Sequence, residues 1–209
     1  MGNRMMIGSK IHLALAGLAV LATPALAQVG FSEGYAFFKA VRERDGATVE
    51  RILANPGSTT LNSRDQDSGD GALHILVRRR DIGWLGYMLG RGARPDTPAR
   101  DGATALALAA QIGWREGAER LLNARANPNQ ANNRGETPLI FAVQRFDVAM
   151  VRLLVGRGAN ANQTDNVAGY SALDYARQDP RGAAIVQVLQ VRPQPAARPT
   201  QGPPAPPPR

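Results

Sequence analysis

The chain has no cysteine among its 209 residues, which excludes a disulfide framework, a thiol nucleophile and a lipid anchor on cysteine. It has only two histidines, and His74 is the only one beyond residue 30. Because a lone histidine has no second ligand at zinc-site spacing, we expect neither a metal site nor a bound cofactor. Without disulfides or metal ions, the folded part must be stabilised by packing.

Motifs that mark a catalytic centre are also missing from the sequence. It contains no Gly-x-Ser-x-Gly elbow and no glycine-rich phosphate loop. Asp65, Asp67 and Asp70 lie close together but do not fit the calcium-loop pattern, so we interpret them as part of a solvated loop. These absences predict a protein that is not an enzyme.

Residues 1–27 have the pattern of a secretory signal peptide. Arg4 and Lys10 form a basic start, an apolar run follows over residues 11–22, and small residues precede the predicted cleavage site after Ala27. The apolar run is shorter than the roughly 20 residues that span a membrane, so an uncleaved signal would be the only membrane attachment. The sequence therefore predicts a periplasmic or secreted protein.

The segment 191–209 contains eight prolines in nineteen residues, and we expect a disordered, extended tail. Its composition favours a flexible spacer, and the alternative is a docking peptide for an aromatic groove. The formal net charge of the whole chain is +8, but residues 28–190 carry 20 basic and 17 acidic side chains. This near balance is not typical of a nucleic-acid-binding protein, and we expect no nucleic-acid partner.

One leucine returns along the chain at a nearly constant spacing. Leu73, Leu106, Leu139 and Leu173 lie 33, 33 and 34 residues apart. A glycine stands four residues before each leucine and an apolar residue sixteen residues after it, at Gly69, Gly102, Gly135 and Gly169, and at Leu89, Leu122, Val155 and Leu189. A period near 33 indicates one structural unit that is repeated and stacked.

The repeated segments resemble the ankyrin repeat. Gly135-Glu-Thr-Pro-Leu-Ile-Phe-Ala-Val is similar to the signature G-x-T-P-L-H-x-A-A, and Leu154-Val-Gly-Arg-Gly-Ala-Asn-Ala-Asn to L-L-x-x-G-A-x-x-N. The resemblance covers about residues 35–190. It implies an all-α solenoid of five helix-turn-helix units with short turn fingers, over residues 31–63, 66–98, 99–131, 132–165 and 166–190 within the domain 28–190.

The first helix of each unit has a predicted start. Thr104, Thr137 and Ser171 can cap it with their hydroxyl groups, and a proline follows Thr137 at the first helical position. Gly71 stands at this place in the second unit and has no side chain, so we expect that internal unit to be the least stable. His74 occupies the histidine position of the signature, and we interpret it as structural.

The second helices have predicted ends and one aromatic candidate for binding. Gly92 and Gly158 follow them where a left-handed stop is needed, whereas Arg125 takes this place in the third unit and predicts a strained or different turn. Trp84 falls at an apolar helical position and is expected in the core. Trp114 falls at a helix junction, where we expect partial exposure and contact with a partner.

The ankyrin resemblance implies recognition on a concave groove formed by the turn tips and the exposed side of the first helices. The residues of this chain at those positions, together with Trp114, form our candidate site: Arg42, Arg78, Arg79, Arg100, Gln111, Trp114, Arg134, Gln144, Arg145 and Tyr170. Six of the ten are arginines, whose guanidinium groups suit carboxylates. We therefore predict a protein partner with an acidic segment, against the alternative of a generally basic, solvated face, and we expect a monomer.

These observations predict a non-enzymatic protein–protein interaction module in the bacterial envelope. One alternative is a secreted effector that binds a host protein through the same repeats. The other is a ligand-binding protein or hydrolase with an unrecognised site, in which His74 would be the residue to test. The sequence names neither the partner nor the pathway.

Overall fold

The computed structural model describes residues 26–190, with side chains from residue 33, and this part consists of α-helices, turns and loops. Short 3-10 turns lie at Thr60–Asn62 and Pro180–Gly182, and within this range the one strand-like feature is an isolated bridge between Thr164 and Ser171. The α-helices are α1 Leu26–Glu43, α2 Gly46–Leu53, α3 Ala72–Arg78, α4 Ile82–Gly90, α5 Ala105–Ile112, α6 Arg115–Asn123, α7 Pro138–Gln144, α8 Val148–Gly156, α9 Ala172–Gln178 and α10 Ala183–Gln190.

Two predicted segments lie at or beyond the limits of this description. The predicted signal peptide, residues 1–27, is outside it except for its last two residues, which begin α1. The predicted proline-rich tail, residues 191–209, is entirely outside it. Between residues 26 and 190, no helix is both long and apolar enough to cross a membrane.

The helices form five consecutive pairs that stack side by side. The first helices α1, α3, α5, α7 and α9 pack in one row, and α4, α6, α8 and α10 pack on them in a second. Leu73, Leu106 and Leu139 lie in one continuous core, whereas Leu173 in the last unit is only half-buried. The predicted all-α solenoid of five helical pairs is therefore confirmed.

The predicted starts of the first helices are also present. The hydroxyl oxygens of Thr104 and Thr137 accept hydrogen bonds of 3.2 Å from the backbone N–H groups three residues on. Ser171 caps α9 in the same way, and its backbone N–H donates in return to Asp174. Gly71 precedes α3 without a side-chain cap, as its lack of a side chain dictates.

The second helices start with caps that the sequence analysis did not predict. The carboxylates of Asp45, Asp81 and Asp147 accept hydrogen bonds of 2.9–3.2 Å from the N–H groups three residues on, at α2, α4 and α8. Trp114 stands at the corresponding place before α6, where no side chain caps the helix. Aspartate at a helix start satisfies an orphan N–H group, so α6 lacks a stabilising contact that the other three share.

The helices end in left-handed turns, only some of which use glycine. Gly92 and Gly158 have φ angles of 92° and 89°, as predicted. Arg125 adopts the left-handed conformation at the matching place, with a φ of 65°, so the strained alternative is the correct one. Between the helices of a pair, Arg80 and Phe146 are left-handed as well, at 52° and 56°.

Between successive units the chain extends as a turn finger, and each finger is hydrogen-bonded to the next. Backbone N–H groups of Arg100, Asn133 and Asn166 donate to the carbonyl oxygens of Gly69, Asp101 and Arg134, at 3.0, 2.9 and 2.8 Å. The segment from Pro56 to Asp70, longer than the other connections, leads into the first finger through the 3-10 turn. These bonds hold the fingers in one row beside the first helices.

Candidate protein-binding surface

The turn fingers and the C-terminal ends of the first helices form one surface, which we call the finger face. It contains two hollows in which predicted site residues meet. The first lies between units one and two, measures about 350 Å³, and is lined by Arg42, Arg78 and Arg79 together with Asp70 and Ile75. Two successive first helices and a finger are therefore needed to build it.

The second hollow lies between units three and four and measures about 420 Å³. Its predicted lining residues are Gln111, Arg134, Gln144 and Arg145, from the ends of α5 and α7 and from the finger between them. Phe141, which is buried with 9% exposure, adds an aromatic surface. The hollow thus combines amide groups, guanidinium groups, the carboxylates of Asp101 and Glu136 and one aromatic ring, which are groups that can hydrogen-bond and pack against a peptide.

Phe141 and Ile75 were not among the predicted site residues, although the sequence carries a signal for them. Each stands two positions after the periodic leucine of its unit, and each lines one of the two hollows. Ala-rich α5 has Leu108 at the same position. The 33-residue alignment could therefore have identified this position as the apolar contribution to the face.

Three of the six predicted arginines are neutralised by carboxylates of the same chain. Arg42 forms an ion pair with the buried Asp65. Nε of Arg78 lies 2.9 Å from an Asp70 carboxylate oxygen, and Nε of Arg134 lies 3.7 Å from Glu136. The hydrogen bond that Arg78 donates to Asp70 raises the pKa of Arg78 above its ordinary value, and burial opposes this rise. Arg42 and Arg78 thus hold the first finger to α1 and α3, whereas Arg134 and Glu136 form a longer pair within one finger.

The other three arginines have no carboxylate within ion-pair distance among residues 26–190. Arg79 donates to the backbone carbonyl of Arg42, and Arg100 donates to that of Gln66 at 2.7 Å. Arg145 lies against Gly113, where a Cβ atom would stand 3.0 Å from its Nη2. All three side chains are exposed, so their positive charges face solvent.

The two aromatic candidates differ in accessibility. Tyr170, on the last finger, is 42% exposed and meets the ring of Tyr175 edge-on, with centroids 5.6 Å apart. Trp114 is only 7% exposed, so the expected partial exposure is wrong. Its ring folds over Gly117, which offers no side chain to block it, while Trp84 is the half-buried tryptophan. Trp114 is therefore a core residue, and we remove it from the candidate surface.

Tyr175 supports the last finger from below. Its hydroxyl donates to the Asp165 carboxylate at 2.6 Å, and the other oxygen of Asp165 accepts from the N–H groups of residues 167, 168 and 169. The hydrogen bond to Asp165 raises the pKa of Tyr175 to about 12. Burial raises the pKa of Asp165, but the hydrogen bonds outweigh burial and hold it below its ordinary value.

The acidic stretch at residues 65–70 is more ordered than a solvated loop. Asp65 and Asp70 are buried and paired with Arg42 and Arg78, and only Asp67 is exposed. The N–H of Asp65 also donates to the carbonyl of Asp70 at 2.8 Å, which closes the finger. In the described part of the chain, no group of three or more His, Asp or Glu side chains is arranged to hold a metal ion.

His74 is buried and both of its ring nitrogens are engaged. Nδ1 accepts from the N–H of Gly71 at 3.2 Å, and Nε2 lies 2.9 Å from the carbonyl oxygen of Ala103. These partners assign the proton of the neutral ring to Nε2. The imidazole has no free nitrogen for a substrate, which removes the residue on which the hydrolase alternative depended.

The fold and the surface together define an α-helical repeat protein that presents a row of hydrogen-bonded fingers. Residues 112–195 match the family model described as ankyrin repeats (3 copies). This part of the chain therefore carries ankyrin repeats, as the sequence resemblance implied. Ankyrin repeats are a protein–protein interaction module, which sets the coarse function of the chain.

The relatives that the chain matches are longer proteins, and the chain covers less than half of each. The chain is 39% identical over 123 residues to a putative ankyrin repeat-containing protein of Treponema pallidum, and the match covers 57% of this chain and 41% of the relative. It is 33% identical to the human neurogenic locus notch homolog protein 2 over 116 residues. It is 30% identical over 107 residues to the ankyrin repeat and KH domain-containing protein mask-1 of Caenorhabditis elegans. The chain spans only 4% of each of the last two proteins.

Proposed function

We propose that this protein binds an acidic segment of another protein on its finger face and has no enzymatic activity. The observation that carries the proposal is the exposure of Arg79, Arg100 and Arg145 without a carboxylate partner in the described chain. Guanidinium groups form charge-assisted, bidentate hydrogen bonds with carboxylates. These three residues spread over units two, three and four, so an extended segment would meet them in turn.

The two hollows support an extended ligand. Each lies at a junction of two units, and each places apolar surface from Ile75 or Phe141 beside polar side chains. A peptide that runs across the fingers can therefore place side chains in both hollows and carboxylates on Arg79 and Arg145, which line them, and on Arg100. Because the fingers are already hydrogen-bonded to each other, little ordering of this protein is needed on binding.

The test compares two triple variants that remove the same charge. The first is Arg79→Ser, Arg100→Ser and Arg145→Ser on the finger face. The second is Arg51→Ser, Arg94→Ser and Arg152→Ser, three exposed arginines outside the lining of both hollows. Each immobilised protein is used to capture partners from the envelope fraction of the native cell, and captured proteins are quantified by mass spectrometry.

We expect the finger-face variant to lose its specific partner by about tenfold or more, because arginine is enriched among the few interface residues whose truncation costs about 2 kcal/mol or more. The control variant should retain that partner, because its three substitutions lie outside both hollows. Its net charge equals that of the finger-face variant, so a difference between the two cannot come from net charge. Equal capture by both variants, or an equal loss in both, contradicts binding at Arg79, Arg100 and Arg145.

We further propose that the mature protein acts in the periplasm after cleavage near Ala27. The basic start and the short apolar run of residues 1–22 support this location. N-terminal sequencing of the protein recovered by osmotic shock should begin at Gln28. Recovery in the cytoplasm with Met1 intact contradicts the proposal, and recovery from the culture medium favours secretion beyond the envelope.

A further inference from the structure

A third hollow lies away from the two on the finger face, at the first unit. We call it the cap groove. It measures about 340 Å³ and runs between the middle of α1, at residues 33–38, and the segment 57–67. Tyr35 and Phe38 line it from α1, and Ser58, Gln66 and Asp67 line it from the segment. At 65%, Tyr35 has the largest exposed fraction among the large apolar side chains that the structure describes.

The cap groove also carries negative charge. Its lining contains Glu33, Asp65 and Asp67 against one cation, Arg64. Asp65 is paired with Arg42, but neither Glu33 nor Asp67 has a cation within ion-pair distance between residues 26 and 190. Glu33 accepts one hydrogen bond of 2.6 Å from the amide of Asn55. An exposed aromatic ring thus stands beside carboxylates that lack a cationic partner.

We propose that the cap groove binds the proline-rich segment 191–209 of the same chain. That segment contains eight prolines and the three arginines Arg192, Arg198 and Arg209, with no acidic residue. Proline-rich segments favour the polyproline II conformation, which docks on aromatic-lined grooves with little loss of entropy. The prolines would pack on the Tyr35 ring, and an arginine would pair with Asp67 or Glu33.

Charge decides between the surfaces that the segment could occupy. The finger face exposes the positive side chains of Arg79, Arg100 and Arg145, which repel a segment that carries only positive charge. A hollow lined by Glu116, Glu119 and Asp147 has a similar excess of carboxylates but no aromatic side chain, whereas the cap groove has both the carboxylates and an exposed tyrosine. The same segment is therefore attracted to one end of the solenoid and repelled by its finger face.

The segment is long enough to reach the cap groove within one molecule. The groove belongs to the first unit, and the segment follows α10 in the fifth. Neighbouring helices pack 8–10 Å apart, so four unit spacings amount to roughly 40 Å. Nineteen residues in a polyproline II helix extend to roughly 59 Å at about 3.1 Å per residue.

The absence of cysteine makes a direct test possible in the full chain. The substitution Ala205→Cys creates a single site for a nitroxide spin label in the part of the segment that can reach the groove, fifteen residues or about 47 Å beyond α10. Paramagnetic broadening of backbone amide signals then reports which surface the segment visits. We expect a loss of signal at residues 33–38 and 57–67 that is recovered when the label is reduced.

Two further variants of the labelled chain make the result specific. Asp67→Lys reverses an exposed charge in the cap groove, and we expect it to abolish the broadening there. Glu116→Lys reverses an exposed charge on α6, outside the groove lining, and should leave the broadening unchanged. The amide spectra themselves show whether each variant is folded.

Three outcomes overturn the proposal. The first is unbroadened cap-groove signals in the labelled chain, and the second is broadening confined to the finger face. The third comes from a mixture of two chains, one isotope-labelled without a spin label and the other spin-labelled without isotopes. If the groove signals broaden in this mixture as strongly as in the chain that carries both labels, the segment binds between molecules and not within one. None of these measurements involves a partner protein, so their failure leaves the proposed function of the finger face to its own test.

Discussion

The Nε2 atom of His74 lies 2.9 Å from the carbonyl oxygen of Ala103, and this hydrogen bond joins the second unit to the finger of the third. On its other side the same ring accepts the N–H of Gly71, at the helix start that lacks a side-chain cap. The imidazole thus satisfies the N–H of the cap residue itself, as the Asp174 carboxylate does at Ser171, whereas the hydroxyl caps of the later units accept from N–H groups three residues on. Protonation would place a proton on Nδ1 and remove this acceptor.

His74 predicts a specific pH dependence of stability. Burial lowers the pKa of His74 below its ordinary value of about 6.5, and the hydrogen bond to Ala103 opposes this only in part. The unfolded chain therefore takes up a proton that the folded chain resists, and the stabilisation, complete above pH about 6.5, is lost as the pH falls towards the folded-state pKa. Urea unfolding at pH 7.5 and pH 5.5 measures the effect. A His74→Gln variant should lose this slope, and an unchanged slope contradicts the assignment.

Arg125 predicts a stabilising substitution. Its φ of 65° places a side chain in a conformation that costs about 1–2 kcal/mol relative to glycine. Arg125→Gly should therefore raise the free energy of unfolding by about 1 kcal/mol, after allowance for the greater freedom of glycine in the unfolded chain. The matched control is Gly158→Ala, at a φ of 89° with no atom within 4 Å of the new Cβ, which should lower stability through backbone strain alone.

At Gly117, in contrast to Arg125, a substitution is expected to lower the stability of the protein. A Cβ atom at this position would overlap the six-membered ring of Trp114. Gly117→Ala should therefore destabilise the protein by about 1–3 kcal/mol, and Trp114 fluorescence should shift to the red as its ring becomes exposed. Gly90→Ala, which meets no atom within 4 Å at the end of α4, should be neutral or stabilising. Equal effects at both positions would show that helix propensity, not packing, controls the result.

The periodic leucines predict a gradient along the stack. Leu139 is fully buried, so Leu139→Ala should cost about 2–5 kcal/mol in thermal or urea unfolding. Leu173 occupies the same place in the last unit but is only half-buried. Because its side chain is partly solvated before truncation, Leu173→Ala should cost clearly less. Similar losses would mean that the last unit packs as tightly as the fourth.

The 33-residue periodicity predicted the structural features that recur in every unit. Thr104, Thr137 and Ser171 recur beside the central leucines, so their capping role followed from alignment alone. The same alignment placed Arg125 in a glycine position and thereby indicated a turn that was either strained or differently built, and its φ of 65° decides for the strained form. The aspartate caps of the second helices were equally periodic, at Asp81 and Asp147, and could have been predicted from the same spacing.

What the periodicity could not predict is where the units differ. Trp84 and Trp114 both occur near the start of a second helix. Only the Trp114 ring is buried, because it lies over Gly117, which has no side chain. The division of the arginines was also hidden, because the sequence does not show that Asp70 approaches Arg78 while Arg145 has no such neighbour. Contacts between side chains of neighbouring units depend on three-dimensional placement, and a period of 33 residues does not encode it.

Three of the bonds between the fingers use backbone atoms only: the N–H groups of Arg100, Asn133 and Asn166 donate to the carbonyl oxygens of Gly69, Asp101 and Arg134. A backbone donor and acceptor remain whatever side chain is attached to them. The exposed tips can therefore change identity over evolutionary time without loosening the row that carries them. Selection could in this way redirect the protein to a different target while its folding stays almost the same.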